Sequence, residues 1–177
     1  MRRIPWLMVL PPLIFSGFLL LAGYVLLNPN DELPSARVGQ EAPALQLTQL
    51  GGLPLFDDAA LRAPGPKVVN IWASWCAPCR AEHPNLETLR ELADVPLYGI
   101  NFRDNPTKAQ GFLRDLGNPY DAVGADANAK TALEWGVYGV PETYVLDGQG
   151  VITLRFAGPV TKEVLETKIL PAIEAAR

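Results

Sequence analysis

The run Val69-Asn70-Ile71-Trp72-Ala73-Ser74-Trp75-Cys76-Ala77-Pro78-Cys79-Arg80 joins a β-forming segment to a helix-forming one through two cysteines. Val68 to Trp72 is almost continuously apolar and rich in β-branched residues, as in a strand buried on both faces. From Ala77 to Leu92, the leucines at 86, 89 and 92 recur at helical spacing. Pro78 suits a first helical turn, whereas Pro84 is expected to kink the helix. Cys76 therefore falls between a strand end and a helix N-terminus, with Cys79 one turn further on.

The flanking sequence extends this pattern. Upstream, Ala44 to Thr48 alternates weakly and reads as a short strand, and Gly51-Gly52 reads as a turn. Downstream, Leu97 to Phe102 reads as a strand and Thr107 to Leu116 as a helix ending at Gly117. Ala122 to Ala125 is a short strand, and Asn128 to Trp135 a short helix ending at Gly136. Thr143 to Leu146 and Val151 to Phe156, joined by Asp147-Gly148-Gln149-Gly150, read as a hairpin. Thr161 to Ala176 reads as a final amphipathic helix capped by Thr161. Strands and helices alternate first and an antiparallel hairpin follows. The predicted class is α/β, with a mixed central sheet flanked by helices.

A length of 177 residues allows one domain, placed at residues 43–177, and a short appendage. The net charge of −4, without a Lys/Arg cluster, argues against a nucleic-acid partner. The chain has only two cysteines. A bridge across two residues closes a tiny loop and constrains the unfolded chain little, so the pair reads as chemistry rather than a staple.

The N-terminus reads as an address. Arg2 and Arg3, in residues 1–5, precede an uncharged stretch from Trp6 to Leu27. Its length exceeds the roughly 20 residues that cross a bilayer core. The positive flank should stay in the cytoplasm, which places the rest outside it. A cleaved signal peptide is the competing reading, but Tyr24-Val25-Leu26-Leu27 prolongs the apolar run past Ala22-Gly23. Residues 28–42, with Pro29 and Pro34, read as an extended tether.

Disulfide exchange needs a thiolate, and unpaired N–H groups at a helix N-terminus favour one at Cys76. Cys76 would attack and the more covered Cys79 would resolve the mixed disulfide. Half a zinc site is the alternative, but His83 is the only histidine and further ligands are lacking. Covalent haem attachment needs a His where Arg80 stands. His83 is expected on the helix surface rather than as a copper ligand. No bound cofactor or metal is expected beyond the redox-active Cys76–Cys79 pair.

Three segments carry a resemblance. They are residues 69–80, Arg80-Ala81-Glu82-His83-Pro84, and Gly136-Val137-Tyr138-Gly139-Val140-Pro141-Glu142-Thr143. With the N-terminal anchor they resemble the CcmG/DsbE family of membrane-anchored, periplasmic thioredoxin-like oxidoreductases. That resemblance implies a thioredoxin-like fold and a cis Pro141. It implies that the Val140 backbone receives an extended substrate by strand addition. If Glu82 and Glu142 approach the sulfurs from beneath, burial would raise their pKa values and suit them to proton transfer with Cys79; a solvated helix residue for Glu82 and a surface residue at a strand start for Glu142 are the alternative readings. Trp75 and Tyr138 are further candidates for substrate contact. Asn70 departs from ordinary thioredoxins, which carry a buried Asp there.

The implied activity is reduction of disulfides in apocytochrome c, or in a partner presenting it, during cytochrome c maturation. Re-reduction would come from a DsbD- or CcdA-like membrane carrier. The opposite direction, as oxidant or isomerase, stays open, because Ala77-Pro78 does not settle it. A non-catalytic module carrying copper or apocytochrome is the reading from another class.

Overall fold

The structure, a computed structural model, describes residues 6–27 and 37–177. The basic flank in residues 1–5 and the first part of the expected tether, residues 28–36, lie outside the described residues. Two compact units divide the chain, Met1–Pro34 and Ser35–Arg177.

The first unit holds helix α1, Trp6–Leu27, which has 22 residues and no acidic or basic residue in its sequence. Its side chains are described for residues 9–24 and 27, and Leu13, Ile14, Phe15, Phe18 and Leu20 are more than half exposed. Among the described residues no helix is long and apolar enough to cross a membrane.

The second unit is built on a six-stranded mixed sheet. Its strands are β1 (Thr48–Gln49), β2 (Lys67–Trp72), β3 (Leu97–Phe102), β4 (Ala122–Asp126), β5 (Glu142–Leu146) and β6 (Ile152–Ala157), in the order β1-β4-β3-β2-β5-β6. All six residues of β2 are buried, as its apolar β-branched composition requires. It runs parallel to β3 and antiparallel to β5. Around the sheet lie α2 (Asp58–Leu61), α3 (Ala77–Ala93), α4 (Pro106–Leu116), α5 (Lys130–Glu134) and a C-terminal helix.

The period-two alternation of β2 sends its side chains into two cores. Val68 and Trp72 join Leu86 and Leu89 of α3, Phe112 of α4, Ile169, and both cysteines. Val69 and Ile71 join Leu61, Trp135, Tyr144 and Leu146 on the other face. Asn70 shares the first face, so a polar residue is inserted among apolar ones on the side of the cysteines.

Several expectations need correction. Residues 44–47 are not a strand. The Leu45 N–H donates to Asp58 Oδ1 and the Gln46 N–H to Thr131 Oγ1, so side chains occupy the donors a ladder would use. Strand β1 begins only at Thr48. The tether does not run to residue 42. Backbone bonds join Gly39 to Ile152 and Ala42 to Gly150, and Ala42 is buried, so these residues belong to the domain. Helix α3 is continuous through Pro84. Helix α2, which lacked a sequence signal, is capped by Asp57, whose side chain accepts from the Ala60 N–H.

The C-terminal helix is interrupted. It comprises α6 (Lys162–Val164), a π-helical turn over Leu165–Ile169, and α7 (Leu170–Ala175), with Thr161 as N-cap. The Leu170 N–H donates to the Leu165 carbonyl. Pro171, next in sequence, has no N–H and its ring crowds the preceding turn, and a widened turn relieves that crowding.

Candidate active site

Cys76 is the N-cap residue of α3, and Cys79 lies in its first turn. The two are joined as a disulfide. The Cys79 N–H donates to Cys76 Sγ over 3.0 Å. That amide is one of the orphan donors of the helix start, and in the reduced state it would stabilise a Cys76 thiolate. Both cysteines are buried, at 4% and 2% exposure.

The loop before Cys76 is pinned from a neighbouring segment. Asp104, just past β3, accepts from the Ser74 N–H at 2.6 Å, the Ser74 hydroxyl at 2.8 Å and the Asn101 amide at 3.0 Å. Trp75 is 58% exposed, and its indole N–H donates to the Arg103 carbonyl. It therefore stands on the rim with its ring open to a partner.

The Val140–Pro141 peptide bond is cis. The Val140 carbonyl oxygen lies 3.5 Å from Cys76 Sγ. This sulfur has no proton in the disulfide, but a Cys76 thiol could donate to that oxygen. A cavity of about 280 Å³ adjoins this contact, lined among others by Pro78, Tyr138, Val140, Pro141 and Pro159. Tyr138 is exposed beside it. The structure thus brings together Cys76, Cys79, Trp75, Tyr138, Val140 and Pro141.

Glu82 lies one turn beyond Cys79 on the buried face of α3 and is 1% exposed. Its Oε1 accepts from Asn70 Nδ2 at 3.0 Å and its Oε2 from the Val160 N–H at 2.8 Å. Burial pushes its carboxyl up to about 7, although the bonds from Val160 and Asn70 pull the other way. Asn70 also donates to Thr143 Oγ1 and accepts from the Tyr120 hydroxyl at 2.8 Å. Tyr120 stacks on Trp72, and Gly99 leaves room for the pair, since a Cβ there would come within 3.0 Å of both rings.

Glu142 is also buried, but its setting differs. On β5 it shares a face with Tyr144 and Leu146, opposite Thr143 and hence opposite Asn70. Arg155 Nε donates to Glu142 Oε2 at 2.8 Å and Arg155 Nη2 to Oε1 at 2.9 Å. The Tyr144 hydroxyl and the Tyr138 N–H complete four bonds to the carboxylate. The expectation that both glutamates approach the sulfurs from one side is therefore corrected. The sheet separates them, and Glu142 is held as an ion pair rather than presented to Cys79.

His83 is not on the helix surface. It is 2% exposed, with Nε2 3.0 Å from the Gly117 carbonyl and its ring edge-on to Phe112. Burial lowers its pKa. A carbonyl-bonded, neutral imidazole among apolar groups is a packing residue.

Residues 37–170 match the Redoxin family. The thiol:disulfide interchange protein HelX of Rhodobacter capsulatus is 50% identical over 169 residues, spanning 94% of this chain and 95% of its own. A DsbE homolog of Paracoccus denitrificans is 45% identical, spanning 99% and 98%. The chain belongs to the DsbE group of the Redoxin family. As a DsbE-type Redoxin protein it is a thiol:disulfide oxidoreductase, and its two cysteines, Cys76 and Cys79, form a disulfide. A crystal structure of a thiol:disulfide interchange protein DsbE from Chlorobium tepidum has the same fold at 26% identity, with a TM-score of 0.62 over 78% of this chain.

Within this DsbE-type site, sequence reading missed Asp104, Tyr120 and Arg155 as supports. Asp104 sits before Asn105-Pro106, a pattern that reads as an ordinary helix start. Tyr120 and Arg155 reach the site only through tertiary packing, and no local pattern marks them.

Proposed function

We propose that this protein is a periplasmic reductant of disulfides in apocytochrome c, or in a maturation protein presenting it. The observation that carries this reading is Glu82, buried one helical turn from the resolving Cys79 with its carboxyl near neutrality. Reduction begins when the Cys76 thiolate attacks a substrate sulfur and releases the other substrate sulfur as a thiolate. A mixed disulfide joins Cys76 to the substrate. Cys79 must then lose its proton to attack Cys76 Sγ, and burial disfavours its thiolate. In this reading Glu82, one helical turn further along α3, takes that proton. Attack by Cys79 releases the second substrate thiolate, and the Cys76–Cys79 disulfide remains.

The substrate polypeptide lies extended across the Val140 edge and the adjoining cavity, between Trp75 and Tyr138. Helix α1 anchors the protein in the inner membrane, with the C-terminal domain in the periplasm. The sequence of Trp6–Leu27, 22 residues with no acidic or basic side chain, supports this. A DsbD- or CcdA-like membrane carrier restores the dithiol. An oxidising compartment closes Cys-x-x-Cys pairs, so haem attachment needs such a reductant.

The test uses a peptide carrying an oxidised Cys-x-x-Cys-His segment. The reduced protein should open it catalytically, and Cys79→Ser should accumulate a mixed disulfide through Cys76. No reduction of the peptide, with full reactivity toward other disulfides, would remove apocytochrome as the substrate.

A further inference from the structure

Arg155 is a buried guanidinium with no part in the thiol chemistry. It extends from β6, and its side chain is 3% exposed. Among the described residues, the groups it bonds belong to, or hold, the segment that carries the cis proline. Its Nε and Nη2 clamp Glu142. Its Nη2 also reaches the Gly136 carbonyl at 3.3 Å, and its Nε the Tyr144 hydroxyl at 3.2 Å. Its guanidinium carbon stands 4.3 Å from the centroid of the Tyr138 ring. Glu142 in turn accepts from the Tyr138 N–H at 2.9 Å. The Tyr138 backbone and ring are thus both fixed by one ion pair, while the ring stays 68% exposed at the cavity beside Pro78 and Val140.

We propose that Arg155 is a positioning residue that presents Tyr138 to the substrate polypeptide. The planar fork binds both carboxylate oxygens while the guanidinium supports the aromatic face. A lysine offers one point charge and cannot do both. This inference extends the recognition face of the proposed function, but it does not depend on the direction of electron flow or on apocytochrome.

The test uses the reduced full-length protein in detergent. It measures attack by Cys76 on two activated disulfides, free Ellman's reagent and an extended heptapeptide whose cysteine carries thionitrobenzoate. In each, the Cys76 thiolate forms a new S–S bond and a thionitrobenzoate thiolate leaves. Any reduced Cys76 gives this signal, whatever the physiological substrate. Arg155→Lys keeps a charge for Glu142, and Tyr138→Leu changes an exposed side chain. Each should lower the peptide rate relative to the free-reagent rate by about fivefold or more. The double variant should fall no further than Tyr138→Leu alone, because the two act as one unit. Equal losses on both reagents would show that Arg155 acts through the fold or the sulfur, and would overturn the proposal. Additive losses in the double variant would overturn it as well.

Discussion

Glu82 and Glu142 show how far a residue's neighbours outweigh its type. Both are buried glutamates, yet one faces neutral donors and the other a bidentate arginine. Burial raises the Glu82 carboxyl to about 7. An unfolded Glu82 titrates near 4.5, so between these values the folded state holds a proton that the unfolded state has released. Stability from this group is complete below pH 4.5 and is lost as the pH rises through about 7. The span corresponds to about 3 kcal/mol. Glu82→Gln should remove this fall from urea-melt stabilities measured across that range, whatever its absolute stability. The same variant should slow resolution of the mixed disulfide roughly a hundredfold and abolish a rate inflection near neutrality. An unchanged pH profile of the resolving step would refute proton transfer by Glu82. Legibility at this scale was mixed. The Cys-x-x-Cys spacing marked its own chemistry, whereas Asn70, Arg155 and Val160, which meet the glutamates, come from β2, β6 and the loop before α6. Spacing along α3 or β5 carries no trace of these three.

At the scale of elements, periodicity located β2, α3, β3, α4, β4 and the hairpin, because each buries a regular apolar face. It failed where side chains replace backbone partners. Residues 44–47 look like a strand, but Asp58 and Thr131 take their amides. The C-terminal helix read as regular, since a π turn keeps the apolar residues inward and changes only the ladder. Lys67 is the clearest case of an element held by a side chain. It is fully buried in β2, and its Nζ donates to the carbonyls of Leu61, Ala63 and Asp147 at 2.9, 2.6 and 3.0 Å. It joins the end of α2 to the β5–β6 turn. Burial lowers its pKa, with Asp147 opposing. Lys67→Met should leave three carbonyls without a donor and cost about 3 kcal/mol in urea unfolding, with thiol reactivity retained. A loss below about 0.5 kcal/mol would show that water replaces the ammonium.

Across the whole molecule, the site forms where the parallel strands β2 and β3 end. The loop after β2 leads to Cys76, and the loop after β3 supplies Arg103 and Asp104 to hold it. On its other side, β5 and β6 bring the cis-proline segment and its arginine clamp. Loops at the carboxyl ends of parallel strands are free to carry function because a rigid sheet stands behind them. The α/β class and the pairing of Cys76 with the Pro141 segment were readable in advance. The division of the two glutamates across the sheet was not, because it depends on which face of β5 meets which core. The central proposal concerns the direction of electron flow, and the equilibrium of the Cys76–Cys79 couple tests it most directly. Equilibration of the domain from Ser35 onward against defined thiol–disulfide buffers should give a reduction potential at or below about −200 mV, among the reducing members of this fold. A potential near about −120 mV, that of a strong oxidant, would contradict a reductant role.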